Sequence, residues 1–397
     1  MIRTAIILGC LSMVGPFAID MFLPAMPDIA QSLSASPAET QITVTAYFAA
    51  FGIAQMIYGP LADQTGRKLP ILLGLSIFLI GSLGSAMADT ITGLGAWRFV
   101  QGLGGAAVMV VPRAIIRDMF TGVEAMRLMA MLMLVISVSP MLAPLVGSGV
   151  VALGGWRWVF GAMAIAAGAS LLLTLFFQPE TLPKEARVPI NLRSLAAGCR
   201  QLFRDADFMG LTFVGAFGFA SFFVFIATAP FVYTGSFGLS PTGFSLAFAV
   251  NAIGFFAASQ ASGPIGARIG LRRLLRLGIF GFAGATALLF VLVLAGVGSL
   301  WLVIGGLFVA NAFLGLVIPA VMVMALDHHG DIAGLASSLG GTLQMLTGGL
   351  VVVLAGPFLD GGVTAMVAVI ALTGLVTLIL FFMTPARAEP PAQAEAD

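Results

Sequence analysis

The chain has 397 residues, of which 59% are hydrophobic and only 9% charged, and its mean hydropathy is +1.08. So few charges cannot clothe a water-soluble surface of this size, so the composition describes an integral membrane protein. The net charge of +1 is carried by scattered Lys and Arg with no basic, aromatic-interleaved face, which excludes nucleic acid as a partner.

Apolar segments long enough to cross about 30 Å of hydrocarbon recur at roughly 5–27, 41–61, 69–88, 91–115, 126–150, 157–177, 207–232, 242–264, 273–295, 299–325, 332–356 and 361–384. The pattern predicts an all-α integral membrane fold of twelve transmembrane helices. The opening MIRTAIILGC has the flavour of a secretory signal, but its apolar run continues without a convincing cleavage site and reads as a retained first span. Inside that span lies Asp20, in FAIDMFLPAMPD, a carboxylate that costs about 2.5–3.5 kcal/mol at mid-bilayer. Pro24 and Pro27 have no N–H to offer the carbonyls of Asp20 and Leu23, so the helix is weakened at its acid. Ser12 lies two turns before it, and no other Asp or Glu falls deep within a span.

Between the second and third spans, GPLADQTGRK forms a polar turn with Gly59, Asp63, Gly66, Arg67 and Lys68. Gly66 permits a backbone conformation barred to other residues, and Asp63 can accept from helix amides or pair with a cation such as Arg117. Arg98, on the inward-running fourth helix, lies about 10 Å from the outer end by helical rise, as does Asp20 on the first. An ion pair that pins the fold and a proton site tuned by a guanidinium are both open at this depth. Arg113 falls near the cytoplasmic end, in reach of water by snorkelling. In the fifth helix, Pro140 and Pro144 free two carbonyls, while Ala143, Gly147, Ser148 and Gly149 offer a small-residue surface for close packing.

Residues 178–206 carry five Lys and Arg and divide the chain into an N-terminal half (1–177), a linker, a C-terminal half (207–384) and a Pro/Ala/Glu tail (385–397) read as disordered. Leu192, Leu195, Cys199, Leu202 and Phe203 predict a short amphipathic helix, either on the membrane surface or as a solvated connector. A start in the cytoplasm places Arg3, Arg67, Lys68, Arg117, Arg127, the linker cations, Arg268, Arg272, Arg273, Arg276 and Arg387 on one side, against Arg157 on the other. That asymmetry predicts N-in, C-in topology. A shift of 204 residues lays Ser36-Pro37 on Ser240-Pro241, Gly59-Pro60 on Gly263-Pro264 and Gly66 on Gly270, which predicts two six-helix halves related along the membrane normal. In the second copy Ala267 stands where the first has Asp63.

The remaining intramembrane polar groups are Gln55, Gln101, Asn251, Gln260, Asn311 and Gln344, each a helix-to-helix hydrogen bond or a contact to substrate across a central cavity. AFGFASFFVF at 216–225, with Phe222 in it, gives the seventh helix an adaptable aromatic wall. Cys10 and Cys199 fall in different layers and read as free thiols, and His328 and His329 have no third ligand nearby, so no metal site is expected.

GPLADQTGRK resembles the loop signature of the major facilitator superfamily, G-x-L-a-D-r-x-G-r-k. WRFVQGLGGAA at 97–107 resembles its fourth-helix R-x-x-Q-G motif, and SPMLAPLVGSG at 139–149 its fifth-helix antiporter motif, with Ala143 in place of a glycine. Together with DMFLPAMP at 20–27 these are similar to the twelve-span drug:proton antiporters, in the bicyclomycin and chloramphenicol resistance (Bcr/CflA) subgroup. The resemblance implies a monomeric exporter in the bacterial cytoplasmic membrane that rocks about a midplane cavity, with a proton gradient and no cofactor as its energy source. Asp20 and Arg98 then serve proton coupling, the 59–68 loop gates the cytoplasmic side, and Pro140, Ala143, Pro144 and Gly147 seal the inward route. Some relatives carry a second acid where Ser12 stands, so a neutral or zwitterionic lipophilic substrate, phenicol-like, fits this chain better than a cation. Neither a nucleophile–base set nor a phosphate-binding GxxxxGK[ST] loop is present, so an enzyme and an ATP-driven pump both lack their machinery. Two other readings stay open: an exporter of one endogenous metabolite, such as an amino acid or nucleoside, and a transporter-like sensor.

Overall fold

The computed structural model describes residues 2–327, 329–359 and 362–384. The tail 385–397 with Arg387, His328 and the side chain of Arg3 lie outside the described residues. Among those described, twelve helices are long and apolar enough to cross a membrane. The N-terminal half consists of α1 (Ile2–Asp20), the short α2 (Met26–Ser32), α3 (Pro37–Thr65), α4 (Lys68–Ala86), α5 (Ile91–Met119), α6 (Gly122–Gly154) and α7 (Trp156–Phe177). The linker contains α8 (Leu192–Arg204). The other half consists of α9 (Ala206–Phe231), α10 (Pro241–Ile269), α11 (Leu271–Leu294), α12 (Leu300–Leu326), α13 (Ala333–Ala355) and α14 (Val363–Met383).

Packing repeats between halves. In the first, α5 lies against α3 and α4, α4 against α7, and α1 against α6; in the second, α12 lies against α10 and α11, α11 against α14, and α9 against α13. Small residues on α5, including Gly102, Gly104, Gly105, Ala106 and Ala107, are buried and let the helices approach closely where the bilayer supplies no hydrophobic drive between them. The caps repeat as well. Ser36 and Ser240 are both N-caps with proline in the first helical turn, accepting from Glu39 N at 3.2 Å and Gly243 N at 3.1 Å. Gly66 and Gly270 both end their helices at positive φ, +98° and +88°, a region where a side chain is strained.

The halves meet along two equivalent seams, α3 against α13 and α6 against α10. The α3–α13 seam is tied by Thr342 Oγ1 donating to Gly52 O at 2.6 Å, and the α6–α10 seam by Ser245 Oγ donating to Pro144 O at 2.8 Å. One end of the bundle carries the α3–α4 turn and the linker, and is called the basic end here. At the opposite, far end a single apolar core joins both halves, running from Phe22, Leu23 and Met26 through Phe48 to Phe223, Tyr233 and Phe244. Toward the basic end the second half has a core of its own, around Leu274, Leu314 and Val321. The far end is therefore closed between halves, while the basic end is parted.

Candidate functional site

The first span does not run straight from 5 to 27. The α-helix stops at Asp20, a 3₁₀ turn follows at Leu23–Ala25, and α2 carries the chain on to Ser32. The cause is local: Pro24 and Pro27 withhold the amides that the carbonyls of Asp20 and Leu23 need. Because α2 carries the helix on to Ser32, Asp20 lies farther from the far end of the span than the 5–27 reading has it. The side chain is buried, and no cation or hydrogen-bond donor meets its carboxyl among the described residues. The break docks on α6 at Gly147, where a Cβ would collide with Met21 O. Pro140, Ala143, Pro144 and Gly147 form the buried face of α6, so this helix touches both the break beside Asp20 and, through Pro144 O, the opposite half.

Arg98 is fully buried, yet it does not pair with Asp20. Its Nη1 donates to Ala18 O at 3.0 Å and to Gln101 Oε1 at 2.5 Å. Gln101 is held in turn by Nε2 donating to Ser82 Oγ at 2.8 Å. The guanidinium carbon sits 4.7 Å from the Phe22 ring centre and 4.5 Å from that of Tyr47, so the residue that the helix break turns inward occupies a face of the cation. Arg98 Nε and Nη2 remain without partners. The two charges thus flank the same break without neutralising each other: Arg98 holds the backbone at Ala18, two residues before Asp20, and no cation meets the carboxyl of Asp20 among the described residues.

Of the residues assigned by sequence to a substrate cavity, Gln101 belongs to this Arg98 network inside the first half. Asn311 Nδ2 donates to Asn251 Oδ1 at 3.3 Å, and Asn251 Nδ2 to Ala247 O at 3.0 Å, so both asparagines join α10 to α12. Gln344 packs near Gly215 of α9. Phe222 is half-buried in a chain of rings with Phe219, Phe225, Phe248 and Phe255, at centroid separations of 5.7–6.4 Å. Gln55 lines a cavity of about 480 Å³ that lies between the halves at the basic end, walled by α3, α5, the start of α13 and Leu195 of α8. Its Nε2 is buried without a partner. Gly59, Asp63 and Arg67 share this wall.

The α3–α4 turn is organised differently from the expected Asp63–Arg117 pair. Arg67 Nη1 binds Asp63 Oδ1 at 2.6 Å, while Nε and Nη2 grip Asp118, at the end of α5, at 2.7 and 3.2 Å. A bidentate carboxylate fits the guanidinium fork better than a second cation on the same face fits Asp63. The linker clasps the turn from outside. Glu180 accepts from the amides of Arg67 (2.8 Å), Lys68 (3.2 Å), Thr181 (2.9 Å) and Leu182 (3.0 Å), and Val188 N donates to Asp63 O at 3.0 Å. Lys68 Nζ caps Leu175 O at 2.8 Å. Partial burial pushes the Glu180 carboxyl up, but the four amides outweigh it and hold it below the usual carboxylate range. Burial likewise disfavours the charge of Arg67, and its bonds to Asp118 and Asp63 more than restore it. Sequence reasoning missed Asp118 and Glu180, although both were visible as the acids that directly follow the last cation of α5 and the end of α7.

The sequence matches the Major Facilitator Superfamily family description over residues 8–350 and again over 211–397. The uncharacterized MFS-type transporter YdgK of Bacillus subtilis (strain 168) is 34% identical over 380 residues, 95% of this chain and 94% of that protein. The bicyclomycin resistance protein homolog of Haemophilus influenzae is 30% identical, covering 86% of each chain, and a chloramphenicol resistance protein of Pseudomonas aeruginosa is 29% identical over 88% of this chain and 83% of its own. Among solved structures, a D-xylose-proton symporter superposes with a TM-score of 0.79 at 14% identity over 97% of this chain and 98% of its own, a likeness of fold. The chain belongs to the Major Facilitator Superfamily, in its Bcr/CflA drug-efflux branch, and is a multi-pass membrane transporter and not an enzyme.

Proposed function

We propose that this protein exports small, lipophilic, neutral or zwitterionic compounds of phenicol type from the cytoplasm in exchange for protons. Asp20 is the proton site, and the basic end with both termini faces the cytoplasm of a bacterial inner membrane. The observation that carries the reading is a buried carboxyl without a partner, at a helix break that touches both halves. Such a group binds a proton when dry and releases it when water or a cation reaches it. Opening at the far end separates the 3₁₀ turn Leu23–Ala25 from α9 and α10, and α2 from α9, and wets the break, so proton uptake and conformation are linked. Arg98, held by Ala18 O and Gln101, acts as the fixed positive charge against which that carboxyl titrates. The polar side chains fit this substrate class. Gln101, Asn251 and Asn311 are committed to protein partners, and the chain of rings around Phe222 on α9 offers the apolar, adaptable surface that suits a lipophilic substrate.

The test uses purified protein in liposomes, following chloramphenicol uptake under an outward-directed proton gradient, with the lumen acidic. Wild type accumulates drug against its gradient. Asp20→Asn loses that accumulation and retains drug-for-drug counterflow. Gradient-driven transport persisting in Asp20→Asn would sink the proton-site assignment.

A further inference from the structure

We propose that the cavity at the basic end is a second binding site, specific for an amphipathic anion whose carboxylate or phosphate sits between Arg113 and Arg117. Both side chains line the cavity and, one helical turn apart on α5, present guanidiniums to the same volume. Neither has an ion-pair partner among the described residues, and Arg113 Nε is buried without any acceptor. The other charges in the wall do not serve them. Asp63 is bound by Arg67 at 2.6 Å, and Arg67 is further neutralised by Asp118 at 2.7 Å.

Across the cavity, in the other half, α13 begins with no side-chain cap and no acid in its first turn, and Ser337 and Ser338 add hydroxyl donors. The 3₁₀ turn Gly330–Ile332 leads into it, with Ala333 N–H donating to Gly330 O, and the dipole of α13 favours an anion at the same place. Met56, Val111, Leu195 and Leu335 make the remaining wall apolar, which selects an anion with a hydrocarbon tail over a bare inorganic ion. Because the arginines belong to one half and α13 to the other, a ligand here bridges the halves and favours the conformation parted at the basic end. The site is separate from Asp20, and its occupation does not depend on Asp20 carrying the proton.

The experiment measures binding of octanoate, octyl phosphate and octanol to the detergent-purified full chain by calorimetry. The proteins compared are wild type, Arg113→Gln, Arg117→Gln and the control pair Arg193→Gln/Arg200→Gln on α8. Both anions bind wild type and the α8 control alike, octanol does not, and each cavity substitution weakens anion binding roughly tenfold, one charge-assisted hydrogen bond. Arg117 is exposed, so its replacement leaves folding intact and keeps the test decisive even if Arg113→Gln is unstable. Equal affinity in wild type and Arg117→Gln, or octanol binding as tightly as octanoate, overturns the proposal. The source follows from two arms: native mass spectrometry of protein from phosphatidylglycerol nanodiscs shows lipid retained by wild type and lost from Arg117→Gln if lipid is the occupant. If the occupant is a soluble acid, octanoate counterflow in phosphatidylcholine liposomes depends on Arg117 instead. Failure of both arms counts against the site.

Discussion

Glu180 is one of the residues that attach the linker to the α3–α4 turn, and its geometry sets a graded prediction. Oε1 accepts from the amides of Arg67, Thr181 and Leu182, and Oε2 accepts from Lys68 N at 3.2 Å and faces Arg187 Nη2 at 4.0 Å. The bonds to Thr181 and Leu182 are local, so only those to Arg67 and Lys68 tie the linker to the start of α4. Hydrogen bonds to a charged group are worth about 1.5–3 kcal/mol each when buried. With 31% of this side chain exposed, water replaces part of that, and Glu180→Ala should cost about 2 kcal/mol. Glu180→Gln keeps an oxygen at the Oε1 position and opposes an NH₂ to Lys68 N–H, for a cost of about 1 kcal/mol. The carboxyl is held below its usual range, so the native charge stabilises fully above the ordinary carboxylate pKa, and the advantage fades as pH falls through the depressed value. Thermal melting in detergent at pH 7.5 and at successively lower pH tests this. The order wild type, Gln, Ala is expected, with the gap between wild type and Gln closing in acid. An Ala variant as stable as wild type, or a gap that does not change with pH, refutes the reasoning.

Other consequences follow from the same geometry. Asp118→Ala leaves Arg67, whose side chain is 8% exposed, with Asp63 alone, and should destabilise by about 2 kcal/mol. In a double-mutant cycle with Arg67→Ala the two losses should fall short of additivity by at least about 0.5 kcal/mol. Gly147→Val drives a side chain into Met21 O and should cost about 1–3 kcal/mol by overpacking while slowing transport. Gly149→Val meets open space and should change neither, so melting curves and transport rates of the pair separate close packing from a general intolerance of bulk on α6.

The parts of this architecture that could be read in the chain are those governed by local chemistry. The break at Asp20 follows from two prolines at fixed distance, and the paired caps at Ser36 and Ser240 follow from a serine–proline step that dictates its own backbone. Gly66 and Gly270 could be found for the same reason. What escaped depends on direction. The membrane helices are apolar on all sides, so periodicity does not say which way Gln101, Asn251 or Asn311 points, and each turned out to face a neighbouring helix. Asp63 was matched with Arg117 because charge alone allows it, whereas the fork of Arg67 selects Asp118 from the far end of α5. The first span was ended at residue 27, whereas α2 carries the helix on to Ser32 and so puts more of the chain beyond Asp20. The Asp20–Arg98 pairing was expected from matched depth, and the ring of Phe22, brought inward by the break, takes one face of the guanidinium in its place.

The central claim is that drug and proton compete through Asp20, and the most direct measurement is of protons themselves. Chloramphenicol is added to purified protein in weakly buffered detergent solution with a pH-indicator dye, and the protons released per drug bound are counted. Wild type should release protons on binding, with Asp20→Asn binding the drug and releasing none. Release of the same number of protons by the variant, or drug binding in wild type with no proton change at any pH between about 5 and 9, would contradict the account.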